Sequence, residues 1–178
     1  MMCKAGVLAV CPILLFAASA SPQALDIPFV QQTKAGCGSA AVAMLIQYWA
    51  RQNPGLDLAE ADAERIDKYL SPTSAKGIQG KALKAYLEKQ GFETFIFDGE
   101  LADLQHHLEK GRPVIVCFAP KGPRAPLHYA VIAGLDERSI WMNDPARGKL
   151  FHEDLGRFLS EWKATGDWAL LAVPRPVQ

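Results

Sequence analysis

The sequence lacks a surplus of charge of either sign. Its 19 lysines and arginines are balanced by 19 aspartates and glutamates, and no basic block interrupts the chain. Proteins that bind nucleic acids or anionic membrane surfaces carry clustered positive charge, so we expect neither kind of partner. The length of 178 residues and the hydrophobic content of 49% are typical of one folded domain.

Long apolar runs are also rare, and the most continuous one lies near the N-terminus. Lys4 precedes the apolar run 5–18, and Ala18-Ser19-Ala20 has the small-x-small form of a cleavage site. This run is shorter than the roughly 20 residues that span a bilayer. The pattern therefore predicts a signal peptide over residues 1–24 and a domain over 25–178. We expect an exported protein, periplasmic or secreted, with an uncleaved membrane anchor as the less favoured alternative.

Cysteine is scarce as well, with four residues in the chain. Cys3 and Cys11 fall within the predicted signal peptide, which leaves Cys37 and Cys117 in the domain. A disulfide between these two is an alternative, because exported proteins often carry disulfides. We favour two free thiols, since Cys117 lies in the strand-like apolar run 113–118 and two cysteines make a sparse disulfide framework.

Cys37 stands at the start of the stretch that organises the chain, residues 31–49. Glycines flank the cysteine, and apolar residues at helical spacing follow it with almost no charge, which predicts a buried helix. A thiol at a helix N-terminus is activated, because unpaired N–H groups and the helix dipole stabilise the thiolate. The pattern favours Cys37 as a nucleophile. The alternative is a small apolar residue of the core, a common role for a free cysteine.

The remaining patterns predict an α+β fold in which helices pack against an antiparallel sheet. Apolar periodicity, turn residues and helix-stop glycines define the boundaries of the elements. The predicted helices cover 57–70, 100–110 and 154–162, and a further helix between Gly77 and Gly91 follows the loop at 77–82 and ends at about residue 90. The predicted strands cover 92–97, 114–118, 127–133, 139–143, 149–151 and 168–173.

A histidine and a carboxylate come close together if two of these strands form a hairpin. With a turn centred near Asp136, His128 faces Asp144 with Cβ atoms about 4.5–5.5 Å apart. The carboxylate would hold one imidazole nitrogen, and the other nitrogen would be available to a thiol. A slip of one residue would break the alignment. Taken singly, His128 has the alternative of a satisfied core histidine, and Asp144 that of a turn residue before Pro145.

Six motifs of this chain occur together in one known family. They are Gln31 six residues before Cys37, Cys37-Gly38-x-Ala-Ala at a helix start, the glycine-bounded helix of 77–91, His128-Tyr129-Ala130-Val131-Ile132, Asn143-Asp144-Pro145-Ala146 with Gly148, and Phe158-x-x-x-Trp162. In this combination the chain resembles the papain-like cysteine peptidases. It is most similar to the bacterial double-glycine leader peptidases, the processing domains of bacteriocin exporters. The resemblance covers residues 27–173.

The resemblance implies a papain-like fold and a role for each site residue. Cys37 would be the nucleophile, His128 the general base and then the general acid, and Asp144 the residue that orients His128. The side-chain amide of Gln31 would stabilise the oxyanion together with the backbone N–H of Cys37. Gln32 is the rival for that role, and we favour Gln31 because its spacing matches the family. The resemblance implies no cofactor and no metal.

The implied activity is hydrolysis of a peptide bond in a peptide or protein, through a thioester acyl-enzyme. Family members are often fused to membrane helices and an ATPase, whereas this sequence carries an export signal instead. We therefore expect the mechanism to carry over better than cleavage after a Gly-Gly-like motif. One alternative is an amidase, deamidase or acyl transferase, because the same triad serves these reactions. The other is a non-catalytic peptide-binding module.

Overall fold

The computed structural model describes residues 24–33, 36–70, 78–120, 122 and 126–176. The predicted signal peptide lies outside these ranges except for its last residue, so it stays a prediction. The described helices are α1 Cys37–Ala50, a 3-10 helix Leu58–Ala61, α2 Ala63–Leu70, α3 Gly80–Lys89, α4 Leu101–Glu109 and α5 Leu155–Lys163. The described strands are β1 Phe92–Asp98, β2 Val114–Phe118, β3 His128–Leu135, β4 Ser139–Asp144, β5 Gly148–Asp154 and β6 Trp168–Pro174.

The six strands form one sheet in the order β1-β6-β2-β3-β4-β5, and every neighbouring pair is antiparallel. The α+β prediction is confirmed. Side chains alternate between the two faces of a strand, and both faces of β2 are buried. Ile115 and Cys117 pack into the core beneath α1 and α3, whereas Val114 and Val116 pack beneath α4 and α5. This double burial explains why β2 is apolar throughout.

Helix α1 lies at the centre of the first core. Ten of its fourteen residues are buried, and the helix carries no charged side chain. Gly38 fits closely between Leu83 and Tyr129, since a Cβ at this position would lie 3.1 Å from the Leu83 side chain. The start of α1 is therefore fixed between α3 and the sheet. Among the described residues no helix is long and apolar enough to cross a membrane.

The prediction of one helix over 57–70 is wrong, because Asp62 divides this segment into two helices. Asp57 accepts a hydrogen bond from the Ala59 N–H (2.8 Å) and begins the 3-10 helix. Asp62 has an extended backbone and accepts from the Arg65 N–H (2.8 Å), so a new helix begins after it. A short carboxylate side chain competes with helical hydrogen bonding in this way and favours a cap over a helix interior.

The turn between β3 and β4 is centred later than predicted. The Asp136 N–H donates to the carbonyl of Ser139 (2.9 Å). The Asp136 carboxylate accepts from the N–H groups of Arg138 (2.8 Å) and Ser139 (2.7 Å). The aspartate thus stabilises the turn from its first position, as is typical of this residue. The centre of the turn lies between residues 137 and 138.

The register of this hairpin also differs from the prediction that His128 faces Asp144. A β-bulge at Ala133 shifts the pairing by one residue, and continuing the ladder beyond the bulge places His128 opposite Ala146. The side chains of His128 and Asp144 still lie on one face, because the offset between them is two residues. The observed pairs are Leu135–Ile140 and Gly134–Trp141 next to the turn, and Ile132–Met142 and Val131–Asn143 beyond the bulge.

Candidate active site

Cys37 is the first residue of α1, and its side chain is half-buried. No side chain of the described residues caps the helix at Gly36, so the first N–H groups of α1 remain directed toward the thiol end. Cys37 and Cys117 are both free thiols, and the disulfide alternative is therefore not realised. Burial raises the pKa of Cys117 to about 12. Cys37 is thus the better placed of the two to act as a nucleophile.

His128 is the first residue of β3 and lies at the end of the sheet where α1 begins. Its Nε2 atom lies 2.7 Å from Oδ1 of Asp144, and its ring packs edge-on against Phe118 at 5.4 Å. The Cys37 side chain lies close enough to the ring to raise its pKa. Because Asp144 occupies Nε2, we assign the contact with the thiol to Nδ1. The structure therefore brings together the three residues of the predicted triad.

The charge state of His128 follows from these contacts. Burial by itself lowers the pKa of an imidazole, because it disfavours the charged form. The hydrogen bond to Asp144, the proximity of Cys37 and the charges of the same two groups outweigh burial and raise the pKa of His128 to about 9. At neutral pH the ring is therefore an imidazolium, placed between the carboxylate of Asp144 and the sulfur of Cys37.

Asp144 is fully buried at the end of β4. Its Oδ1 accepts hydrogen bonds from His128, from the Ala146 N–H (2.8 Å) and from the Arg147 N–H (3.2 Å). Burial raises the pKa of this carboxyl, but its hydrogen bonds and the charges of His128 and Arg147 lower the pKa below its ordinary value. Asp144 is therefore both the turn residue before Pro145 and the partner of His128.

Asn143 was not singled out by the sequence patterns as a residue that shapes the site. It is fully buried, and its Nδ2 donates to the carbonyls of Ile27 (3.0 Å) and Pro28 (3.3 Å). Its Oδ1 accepts from the Leu150 N–H (3.0 Å). Asn143 therefore ties the segment that precedes Cys37 to β4, next to Asp144. The available signal was an amide at the end of an apolar strand pattern, where burial demands hydrogen-bond partners.

The two candidate oxyanion residues lie in this same segment. Gln31 is exposed, and Gln32 is half-buried, with its backbone N–H donating to the carbonyl of Pro145 at 3.0 Å. The backbone bond of Gln32 joins the segment to the turn that follows Asp144. The preference for Gln31 over Gln32 stays a prediction.

Tyr129 packs between the start of α1 and the segment that leads into α3. Its hydroxyl donates to the carbonyl of Ile78 (3.2 Å), and its ring contacts Trp168 edge-on at 5.6 Å. The same ring lies against Gly38, the residue directly after Cys37. Tyr129 thus connects β3 to α1 and to the residue that leads into α3. The relative position of Cys37 and His128 depends on this packing.

Comparison with known proteins relates this arrangement to one family. The model of the Peptidase C39-like family matches residues 24–170. The lactococcin-G-processing and transport ATP-binding protein LagD of Lactococcus lactis subsp. lactis is 28% identical over 146 residues. That match covers 82% of this chain but only 18% of the relative.

Two solved structures share the fold. A protein of Bacillus anthracis described as a C39-like peptidase superposes with a TM-score of 0.70 at 18% identity, covering 85% of this chain and 96% of that one. A double-glycine motif protease from an AMS/PCAT transporter, solved in complex with the leader peptide, superposes with a TM-score of 0.62 at 22% identity. That superposition covers 85% of this chain and 94% of the other.

Proposed function

Because the chain belongs to the Peptidase C39-like family of cysteine peptidases, we propose that it hydrolyses a peptide bond through a thioester acyl-enzyme on Cys37. The observation that carries this proposal is the position of His128, which lies 2.7 Å from Asp144 through Nε2 and close enough to Cys37 for that residue to raise its pKa. A carboxylate that orients an imidazole, which in turn contacts a thiol, is the arrangement that activates a cysteine nucleophile.

The first half of the reaction forms the acyl-enzyme. Transfer of the Cys37 thiol proton to His128 gives a thiolate and an imidazolium. The thiolate attacks the carbonyl carbon of the scissile bond and forms a C–S bond, while the carbonyl electron pair moves to oxygen. The tetrahedral intermediate then collapses, the C–N bond breaks, and the His128 imidazolium donates its proton to the departing amine. The pKa of His128, raised to about 9, keeps that proton available at neutral pH.

The second half releases the product. Water attacks the thioester carbon, and His128, now neutral, accepts the proton of that water. Collapse of the second intermediate breaks the C–S bond and regenerates the thiolate and the carboxylic acid product. Asp144 stays ionised throughout and holds the imidazole by Nε2, consistent with its lowered pKa.

Stabilisation of the oxyanion is assigned to the backbone N–H of Cys37 and the side-chain amide of Gln31. The position of Cys37 at the start of α1 supports the first donor, because that N–H has no partner within its own helix. The spacing of Gln31 supports the second. Loss of one such donor typically costs roughly 2.7–4 kcal/mol of transition-state stabilisation.

The substrate in this proposal is a peptide or protein outside the cytoplasm. The signal peptide predicted over residues 1–24 supports this location. One relative is named for the processing of lactococcin G, and one structural neighbour was solved with a leader peptide. Cleavage after a double-glycine-like motif is therefore the first specificity to test on this chain.

The proposal is tested by incubating the mature protein with paired peptides that differ in the Gly-Gly dipeptide, and analysing the products by mass spectrometry. We expect cleavage by the wild type and none by Cys37→Ala. Cys117→Ala is the matched control, because it removes the other free thiol and leaves the triad intact. Wild-type cleavage rates in Cys37→Ala would contradict the proposal, whereas equal cleavage of both peptides would contradict only the Gly-Gly specificity.

A further inference from the structure

Arg147 lies directly behind the carboxylate of Asp144. The Oδ2 atom of Asp144 is buried and accepts no hydrogen bond from the described residues. The Nε atom of Arg147 lies 3.4 Å from this oxygen. A buried carboxylate oxygen without a partner is costly, and a nearby cation offsets that cost. The positive charge of Arg147 thus compensates the negative charge at Oδ2, the oxygen of Asp144 that His128 does not contact.

The guanidinium of Arg147 is itself held in place. Its Nη1 atom lies 3.6 Å from Oε2 of Glu153, and its central carbon lies 4.7 Å from the ring centre of Phe151. The Arg147 side chain is 27% exposed and that of Glu153 only 5%. Charges at this depth are screened less than those at the surface. Arg147 therefore approaches Asp144 from a defined position.

The orientation of an aspartate carboxylate needs such an anchor. Its terminal torsion joins sp³ and sp² carbons and has a broad energy profile, so its orientation depends on the contacts of both oxygens. In Asp144, Oδ1 receives three hydrogen bonds, while Oδ2 faces Arg147 alone among the basic side chains of the described residues. If this ion pair is lost, the carboxylate can rotate away from the Nε2 atom of His128.

We propose that Arg147, anchored by Glu153, is a positioning residue that orients Asp144 through Oδ2 and so keeps His128 aimed at Cys37. This inference rests on the proposed function, because it deepens the role of the same triad. Arg147 acts through Asp144 and not on the substrate. Its removal therefore lowers the reactivity of Cys37 and lowers kcat more than it raises KM.

The chain provides a matched control in the same charge network. Arg157 lies 3.3 Å from Glu153 and 3.1 Å from Glu161 through its Nε atom. Arg157 thus contacts Glu153 but not Asp144, whereas Arg147 contacts both carboxylates. Replacing Arg157 removes one arginine from the network and leaves the ion pair between Arg147 and Asp144 intact.

The pH dependence follows from the groups that face these carboxylates. His128 on β3 and Arg147 after β4 face Asp144, and both lower its pKa. Glu153 on β5 faces Arg147, and Arg157 and Glu161 on α5 face Glu153 in turn. Removing Arg147 raises the pKa of Asp144. The acidic limb of any process that needs ionised Asp144 therefore moves to higher pH.

The experiment measures the rate at which iodoacetamide alkylates Cys37 from about pH 4 to about pH 9, with the labelled cysteine identified by mass spectrometry. We expect Arg147→Met to slow alkylation at mildly acidic pH roughly tenfold, which corresponds to about 1.4 kcal/mol. Its acidic limb should move to higher pH. Arg147→Lys should recover part of the rate, because it restores the charge but not the planar fork. Arg157→Met should stay within about twofold of the wild type.

A double-mutant cycle with Asp144→Asn separates positioning from a general structural effect. If Arg147 acts through Asp144, then Arg147→Met adds little in the Asp144→Asn background. An unchanged profile in Arg147→Met, or an equal loss in both backgrounds, overturns the inference. If Arg147→Met fails to fold, Glu153→Gln is measured instead. This variant keeps Arg147 but removes the charge of the carboxylate that anchors it. A wild-type alkylation profile in Glu153→Gln then overturns the inference.

The same measurement separates this inference from the proposed function. Slow alkylation of the wild type that is insensitive to His128→Ala means that the triad itself is not active. Fast alkylation of the wild type that is lost in His128→Ala but unchanged in Arg147→Met means that the triad is active and Arg147 does not position it.

Discussion

The Nε2 atom of His128 lies 2.7 Å from Oδ1 of Asp144, although the two residues are two positions out of register on adjacent strands. Diagonal neighbours of this kind have Cα atoms roughly 7–8 Å apart, a distance that an imidazole and a carboxylate can bridge together. Because this contact occupies Nε2, the Nδ1 atom of the ring is available to Cys37. The pairing of these side chains, and not a direct backbone pairing, therefore builds the candidate triad.

The first prediction concerns the charge of Asp144. Asp144→Asn keeps the shape and an acceptor for His128 but removes the negative charge. The pKa of His128 should fall toward its ordinary value, because the Asp144 hydrogen bond and charge raise it. Turnover should fall roughly tenfold, less than in Cys37→Ala, since an asparagine serves this role in papain-like enzymes. NMR titration of His128 and peptide cleavage assays measure the two effects.

The control for this prediction is the fold of the variant. A melting temperature close to that of the wild type shows that the loss belongs to the chemistry. If Asp144→Asn loses turnover as completely as Cys37→Ala and also unfolds, Asp144 is chiefly a structural residue of the turn.

The second prediction concerns stability against pH. The folded-state pKa of His128, about 9, lies above the ordinary value of 6.5. The stability that this group contributes is therefore fully present below pH 6.5 and is lost as the pH rises through about 9. Compared with His128→Gln, the wild type should lose on the order of 2–3 kcal/mol of relative stability across this window. Urea denaturation below and above the window tests this, and a constant difference between the two proteins would show that His128 is not coupled to folding.

The third prediction concerns the buried hydrogen bonds of Asn143. Asn143→Ala removes the donor to the carbonyls of Ile27 and Pro28 and the acceptor for the Leu150 N–H. The free energy of unfolding should fall by about 1–3 kcal/mol, because buried backbone groups lose their partners. Asn53→Ala is the matched control, since Asn53 bonds one carbonyl in a less buried place. Equal losses in both variants, measured by urea denaturation, would contradict the special role of Asn143.

The fourth prediction concerns the contact between Gly80 and Trp168. A Cβ on Gly80 would lie 2.3 Å from the indole ring of Trp168, whereas a Cβ on Gly55 would meet nothing within 4 Å. Gly80→Ala should destabilise the protein by about 1–3 kcal/mol, because α3 must move away from the ring. Gly55→Ala should change stability by less than about 0.5 kcal/mol. Thermal unfolding of the two variants distinguishes a required close contact from a general preference for glycine.

Much of the fold followed from local patterns. The helix at Cys37, the stop at Gly91 with its positive φ of 87°, and the apolar strand of β2 are each encoded by neighbouring residues. The α+β class and the family resemblance could therefore be predicted. The break at Asp62 was missed, because a capping aspartate inside an otherwise helical pattern differs from a surface residue only in its backbone conformation.

The sequence by itself determined which residues form the candidate site, because Cys37, His128 and Asp144 each lie in a short motif of neighbouring residues that can be recognised without the fold. Tertiary structure alone decided how the histidine and the carboxylate meet. The turn that begins at Asp136 sets a register that would place them on opposite faces, and the bulge at Ala133 restores a shared face.

Long-range contacts stabilise that bulge. The carbonyl of Ala133 accepts a hydrogen bond from the N–H of Leu25 (2.7 Å), more than a hundred residues away in the chain. A one-residue shift of register moves every side chain to the other face. The energy of the observed register depends on contacts between residues distant in sequence, which local patterns do not encode.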